Sequence, residues 1–151
     1  MRKGKLLEIR LSPEATPEGG EGKTVERENQ CLFCNVDQDR IIAENELAFA
    51  IRDGFPVTEL HSLIIPRRHV VDYFGLTKEE LFACNDLLLL VKEGILTSDP
   101  SVRGFNIGAN SGLVAGQSIF HCHIHLIPRR EGDVPNPKGG IRHVIPGKGT
   151  Y

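Results

Sequence analysis

Gly116 to Arg130 reads GQSIFHCHIHLIPRR. Three of the chain's six histidines stand here at alternate positions: His121, His123 and His125. In a strand, residues i, i+2 and i+4 share a face. The three imidazoles are therefore expected to point one way, and Cys122, Ile124 and Leu126 the other way, into a core. A solvent-facing strand that happens to use histidine would show the same pattern. Perfect alternation of three imidazoles, in a chain with so few, argues instead for chemistry. Two chemistries suit such a face. One is a metal site built from imidazoles. The other is histidine as nucleophile and proton handler. A neutral imidazole can attack phosphorus near pH 7, and flanking imidazoles can hold the phosphoryl oxygens. The preceding NSGLVAGQS favours phosphorus: its glycines leave backbone N–H groups open to an anion, beside Asn110, Gln117 and Ser118. The same letters also spell an ordinary hairpin loop.

Working outward, SVRGFNIGAN before that loop reads as a strand. Thr77 and Glu80 form a T-x-x-E capping box that opens a helix. Leu81, Cys84, Leu87, Leu88, Val91 and Ile95 give that helix a wide apolar stripe, and Gly94 with Ser98–Pro100 marks its end. Further upstream, IIAENELAFAIRD reads as two short strands around a Glu-Asn-Glu turn, and LHSLIIP as a third that stops at Pro66. Strands, helix, then strands imply an α+β domain with a mostly antiparallel sheet. Residues 1–28 are rich in Gly, Pro and Glu and read as a weakly ordered arm, with KLLEIRL able to pair as an edge strand. The domain is expected over residues 29–130. Residues 131–151 read as an extended Pro/Gly-rich tail in which His143 is a surface residue.

A length of 151 residues suits one domain. The net charge of -2 offers no basic field for a nucleic-acid duplex. The longest aliphatic run, Leu87–Val91, is far too short to span a membrane. The first residues are basic but lack the apolar stretch of a secretory signal, so a cytoplasmic location with reduced thiols is expected. Cys84 and Cys122 read as small buried hydrophobes. Cys31-x-x-Cys34 has the spacing of metal ligands, which is weak evidence alone and equally compatible with two unligated thiols. Asp53 in RDGF could be a simple turn former.

His121 to Ile127 resembles the H-φ-H-φ-H-φ-φ signature of the histidine triad family, with Cys122 as the first φ. ELHSLIIPRRHV is similar to the family's G-H-x-L-V-I-P-x-x-H strand, with Glu59-Leu60 where glycine often stands. CLFC resembles the opening of many bacterial members. The likeness implies a sheet of about five strands with one long helix and a shorter one. It implies a hydrolase acting at the α-phosphorus of dinucleoside polyphosphates or nucleoside phosphoramidates. His123 would be the nucleophile, His125 and His61 would complete the phosphate pocket, and Ser118 would serve the leaving group. Asn110 and Gln117 would line the phosphate side, and Asp53 would bind ribose hydroxyls. Cys31, Cys34, His69 and His121 would hold a structural zinc. No catalytic metal is implied, although magnesium could accompany a polyphosphate. The substrate would be a purine nucleotide and the assembly a homodimer. Nucleotidyl transferases of the superfamily tend to carry Gln where His125 stands, so water is the expected acceptor. A nucleotide-binding or signalling module with incidental catalysis and a zinc-structured interaction domain are the rival readings, with a nucleotidyl transferase, disfavoured by His125, as a fourth.

Overall fold

The computed structural model describes residues 30–151. The arm expected before residue 29, with its edge strand, lies outside them. Five strands form one sheet: β1 (Ile41–Glu44), β2 (Ala48–Arg52), β3 (Ser62–Pro66), β4 (Val102–Gly108) and β5 (Ile124–Arg130). Their order is β1-β2-β3-β5-β4, and every neighbouring pair is antiparallel. One long helix, α1 (Lys78–Ser98), covers one face.

The capping box at Thr77 is present in full. Thr77 Oγ1 accepts from the Glu80 N–H at 3.2 Å, and the Thr77 N–H donates to Glu80 Oε2 at 2.8 Å. Cys84, Leu87, Val91 and Ile95 of α1 pack on Ala48 and Ala50 of β2, Ile64 of β3 and Ile124 and Leu126 of β5. The two alanines keep this face shallow enough for the helix to lie close. The helix runs through Gly94 and stops at Ser98, where the Asp99 N–H closes the last turn on the Ile95 carbonyl at 2.8 Å. Where a second, shorter helix was expected, residues 31–151 carry short 3-10 turns, among them Tyr73–Gly75 and Leu113–Ala115.

The period-2 rule assigns the other face. Phe49, Ile51, Leu63 and Ile65 point away from α1 and form a second cluster with Phe33. His125 pairs with Leu63 and so shares its face, and ring contacts join it to His61 and His123, while Phe33 meets His121 and His123. One expectation is corrected. The last strand begins at Ile124, and His121–His123 lie outside the ladder, with His121 in a bend. The reason lies in β3, which pairs with β5 only through Ser62–Ile64 and ends at Pro66, a residue without an N–H. The Cys122 N–H goes instead to the Val70 carbonyl at 2.7 Å.

The tail does not stay extended. It turns back to β4 through a 3-10 segment, Gly140–Val144. An added Cβ at Gly108 would stand 3.2 Å from Ile141 Cδ1, so a side chain at 108 would force this contact to give. No helix among the described residues is long and apolar enough to cross a membrane.

Candidate active site and metal cluster

His123 is buried, and its Nδ1 lies 2.8 Å from the His121 carbonyl oxygen. A carbonyl only accepts, so Nδ1 carries the proton and Nε2 keeps its lone pair. Phe33 sets its ring edge-on to both His121 and His123, with centroids at 6.0 and 5.1 Å. Phe33 therefore fixes the two rings laterally, a role that its place in CLFC did not announce.

His125 and His61 meet ring to ring, with His125 Nδ1 3.0 Å from His61 Nε2. The far nitrogen of His61, Nδ1, lies 3.3 Å from the Val57 N–H donor and 3.3 Å from Asp53 Oδ2. When Val57 donates to Nδ1, His61 Nε2 must carry the proton and give it to His125 Nδ1. His125 Nε2 is then an N–H donor. That atom is buried and has no hydrogen-bond partner among the described residues. An unmet buried donor is costly unless a ligand meets it. The alternative, with Nδ1–H donating to Asp53, reverses the chain and leaves a lone pair at His125 Nε2.

Burial pushes the pKa of His125 down to about 4, helped by His123 and His61 nearby. His61 is lowered by burial, against the pull of Asp53. Both imidazoles are thus neutral near pH 7, as a donor chain of this kind requires.

A cavity of about 520 Å³ opens on these rings. His123, His125, Asp53 and Ser118 line it, with Phe33 and Leu63 supplying apolar walls. Asp53 Oδ1 accepts from the Phe55 N–H at 2.9 Å, which makes the turn that the RDGF letters suggested while Oδ2 faces His61. Arg40 also lines this cavity and carried no sequence signal. Asn110 lies apart, in a second cavity of about 600 Å³ that shares His125 and adds His61. Gln117 is placed unlike a ligand contact. It is fully buried, its Oε1 accepts from the Gly112 N–H at 2.7 Å, and its Nε2 donates to the Val71 and Ile119 carbonyls at 2.6 and 3.2 Å. It staples the glycine-rich loop to the segment before α1. Gly116 within that loop has φ +84°, the left-handed region that glycine enters without strain.

The turn that delivers His61 contains a strained residue. Leu60 has φ +66°, the only non-glycine residue among those described with positive φ. This is the place where the resemblance led one to expect glycine. Arg52 Nη1 donates to the Leu60 carbonyl at 3.1 Å, and Arg130 Nη1 donates to Thr58 Oγ1 at 2.8 Å. These two arginines hold the turn from either side.

On the edge of the same face, Cys31, Cys34, His69 and His121 bring four donor atoms within 4.8 Å of one another. Cys31 Sγ and Cys34 Sγ are 3.4 and 3.5 Å from His121 Nδ1, and Cys34 Sγ is 3.2 Å from His69 Nδ1. Donors around a tetrahedral zinc lie about 3.5 Å apart, given bonds of about 2.0–2.3 Å. His121 Nε2 is 2.8 Å from the Pro66 carbonyl and must donate to it, which reserves Nδ1 for a metal. The four residues fit a closed Cys2His2 metal site.

Residues 35–132 match the family profile described as HIT domain. An uncharacterized HIT-like protein of Mycoplasma genitalium is 40% identical over 109 residues, which cover 68% of this chain and 75% of that protein. An adenosine 5'-monophosphoramidase of Schizosaccharomyces pombe is 32% identical over 115 residues, covering 74% and 79%. Among solved structures, a zinc-bound histidine triad family protein from Mycobacterium smegmatis matches with a TM-score of 0.63 at 32% identity, covering 70% and 79%.

Proposed function

Because this chain belongs to the HIT domain family, we propose that it hydrolyses nucleotides at the α-phosphorus through a nucleotidyl-histidine intermediate on His123. The observation that carries the reading is the 2.8 Å bond from His123 Nδ1 to the His121 carbonyl, which leaves a nucleophilic Nε2 in the cavity. Nε2 attacks phosphorus, a P–N bond to His123 forms, and the bond to the leaving group breaks. The charge that develops on the imidazolium is held at Nδ1–H by the same carbonyl. The leaving atom departs with its electron pair and takes a proton through Ser118 Oγ, which is replenished from solvent. Water then attacks the same phosphorus, the P–N bond breaks and its electrons return to Nε2. The nucleoside monophosphate departs, and one proton of the water goes to solvent.

In this reading His125 Nε2–H binds a phosphoryl oxygen, and the Val57–His61–His125 chain keeps that proton in place. Asp53 accepts from the ribose hydroxyls. The kinship with a monophosphoramidase supports a nucleotide hydrolase. Zinc at Cys31, Cys34, His69 and His121 would be structural, and magnesium would enter only with a polyphosphate. A homodimer fits the exposed Phe82, Leu89 and Leu90 on α1.

Adenosine 5'-phosphoramidate and diadenosine tetraphosphate are the test substrates, with AMP release followed by chromatography. AMP is expected from the wild type and none from a folded His123→Ala variant. Folded wild-type protein that binds AMP but releases none from either substrate would overturn the hydrolase reading and favour a binding module.

A further inference from the structure

Four residues stand side by side across the sheet. His125 of β5 faces Leu63 of β3, Leu63 faces Ile51 of β2, and Ile51 faces Ile41 of β1. His125, Leu63 and Ile51 all line the cavity that holds His123 and Asp53, so this row runs along it. Three strand spacings separate the two ends of the row, roughly 14 Å at about 4.8 Å each. In the hydrolase reading, the row orders a bound nucleotide. The phosphate lies at the β5 end, on His123 and His125. The ribose lies at Asp53, just past the end of β2. The base lies farther out, toward β1.

Arg40 stands at that outer end, next to Ile41, and is the only Lys or Arg that lines the cavity. Its guanidinium takes no hydrogen bond, ion pair or aromatic ring among the described residues. Other arginines around the sheet are committed: Arg67 to Glu44, Arg68 to Glu80 and Arg130 to Asp99. The one carboxylate that lines the cavity, on Asp53, faces His61 instead. The wall near Arg40 is otherwise apolar, with Leu32 and Phe55 exposed along it. Apolar groups of this kind hold the faces of any base. Discrimination between bases then falls to the polar group at the ring edge.

Resting on the hydrolase reading above, we propose that Arg40 reads the nucleobase and selects guanine. A guanidinium carries donors only, set in a rigid fork. Guanine offers two adjacent acceptors, O6 and N7, which the fork meets together. Adenine offers N7 beside an amino group, so one N–H of the fork would face another N–H. Pyrimidines lack N7 altogether. The preferred substrates are then guanosine nucleotides, whichever group leaves from phosphorus.

The test compares kcat/KM for the 5'-phosphoramidates of guanosine, inosine and adenosine. Guanosine and inosine share O6 and N7, and each is expected to exceed adenosine about tenfold. The difference is expected in KM, because the base keeps one contact before and during the reaction. Arg40→Met is expected to bring both ratios to about one, and Arg40→Lys, which keeps the charge without the fork, to leave about threefold. Either variant suffices if the other fails to fold. Release of monophosphate without a guanosine and inosine preference, or a preference that a folded variant retains in full, would overturn this inference and leave the hydrolase reading standing. A preference for guanosine that inosine lacks would also overturn it, since the 2-amino group is a donor that arginine cannot read. No monophosphate from any of the three would overturn the hydrolase reading. Calorimetric Kd values for GMP and AMP then decide the base reading alone: tighter GMP binding that Arg40→Met abolishes supports it, and equal affinities overturn it.

Discussion

Arg130 closes on Asp99 with two nitrogens on one oxygen, Nη2 at 2.5 Å and Nε at 3.1 Å from Oδ2. Its remaining nitrogen reaches Thr58 Oγ1. One guanidinium thus ties the end of α1 to the turn that delivers His61. Hydrogen bonds from Ser101 and then Arg130 hold the Asp99 carboxyl at a pKa of about 2. A depressed carboxylate stabilises the fold fully above its unfolded value of about 3.9 and ceases to do so as pH falls through about 2. Arg130→Lys keeps the charge but loses the forked geometry. It is expected to lower Tm by a few degrees at pH 7 and to reduce kcat at unchanged nucleotide affinity. Thermal melts beside initial-rate kinetics check both, and an unaltered kcat would limit Arg130 to stability.

The Cys2His2 cluster predicts a metal-dependent fold. As purified, the protein is expected to contain about one zinc per chain by elemental analysis. Chelation, or Cys34→Ser, is expected to lower Tm by more than about 5 °C, because metal that binds only the native state adds its binding free energy to folding. A metal-free protein with an unchanged Tm would assign the four residues to unligated packing.

Leu60 offers a backbone test. Its left-handed φ costs about 1 kcal/mol for a side chain that is not glycine. Leu60→Gly removes that strain and loses a partly buried side chain packed on the core cluster. These effects oppose each other, so stability is expected to stay within about 1 kcal/mol of wild type. Leu60→Val is expected to cost about 2 kcal/mol, because a β-branched side chain tolerates this region worst. Urea unfolding of both variants gives the comparison. A valine variant as stable as glycine would remove the strain argument.

Burial lowers the pKa of His125 to about 4, and lowers His61 as well. For a histidine depressed in the native state, the unfolded chain binds more protons below its ordinary pKa of about 6.5. Stability is then complete above about pH 6.5 and declines as pH falls toward about 4. Tm is expected to drop by several degrees across that window, and His125→Gln is expected to flatten the slope. Melting curves at pH 7, 6, 5 and 4.5 decide it, an equal slope in both proteins counting against a neutral buried His125.

Much of this site is legible in the letters. Alternation drew attention to His121, His123 and His125, although only His125 lies in the strand, and the T-x-x-E pattern located the start of α1. Local patterns carry such information because their physics spans a few residues. The joins between distant segments are different. Arg130 has partners at Thr58 and Asp99, and no spacing rule links them. Phe33 looks like part of a cysteine motif, yet it packs on residues far along the chain. Gln117 sits in a loop whose composition suggests ligand contact, while tertiary packing commits its amide to backbone. The tail is poor in core residues, so nothing local announces that Ile141, Val144 and Ile145 return to the site.

His121 serves two neighbours with different atoms: its ring belongs to the Cys2His2 cluster, and its carbonyl orients His123. In the proposed mechanism, heat that frees the ring from a bound metal also releases the peptide unit that aims His123. Thermal inactivation is then expected to be abrupt, with activity and metal lost along one curve. A partly melted, demetallated but still active species has no structural basis here.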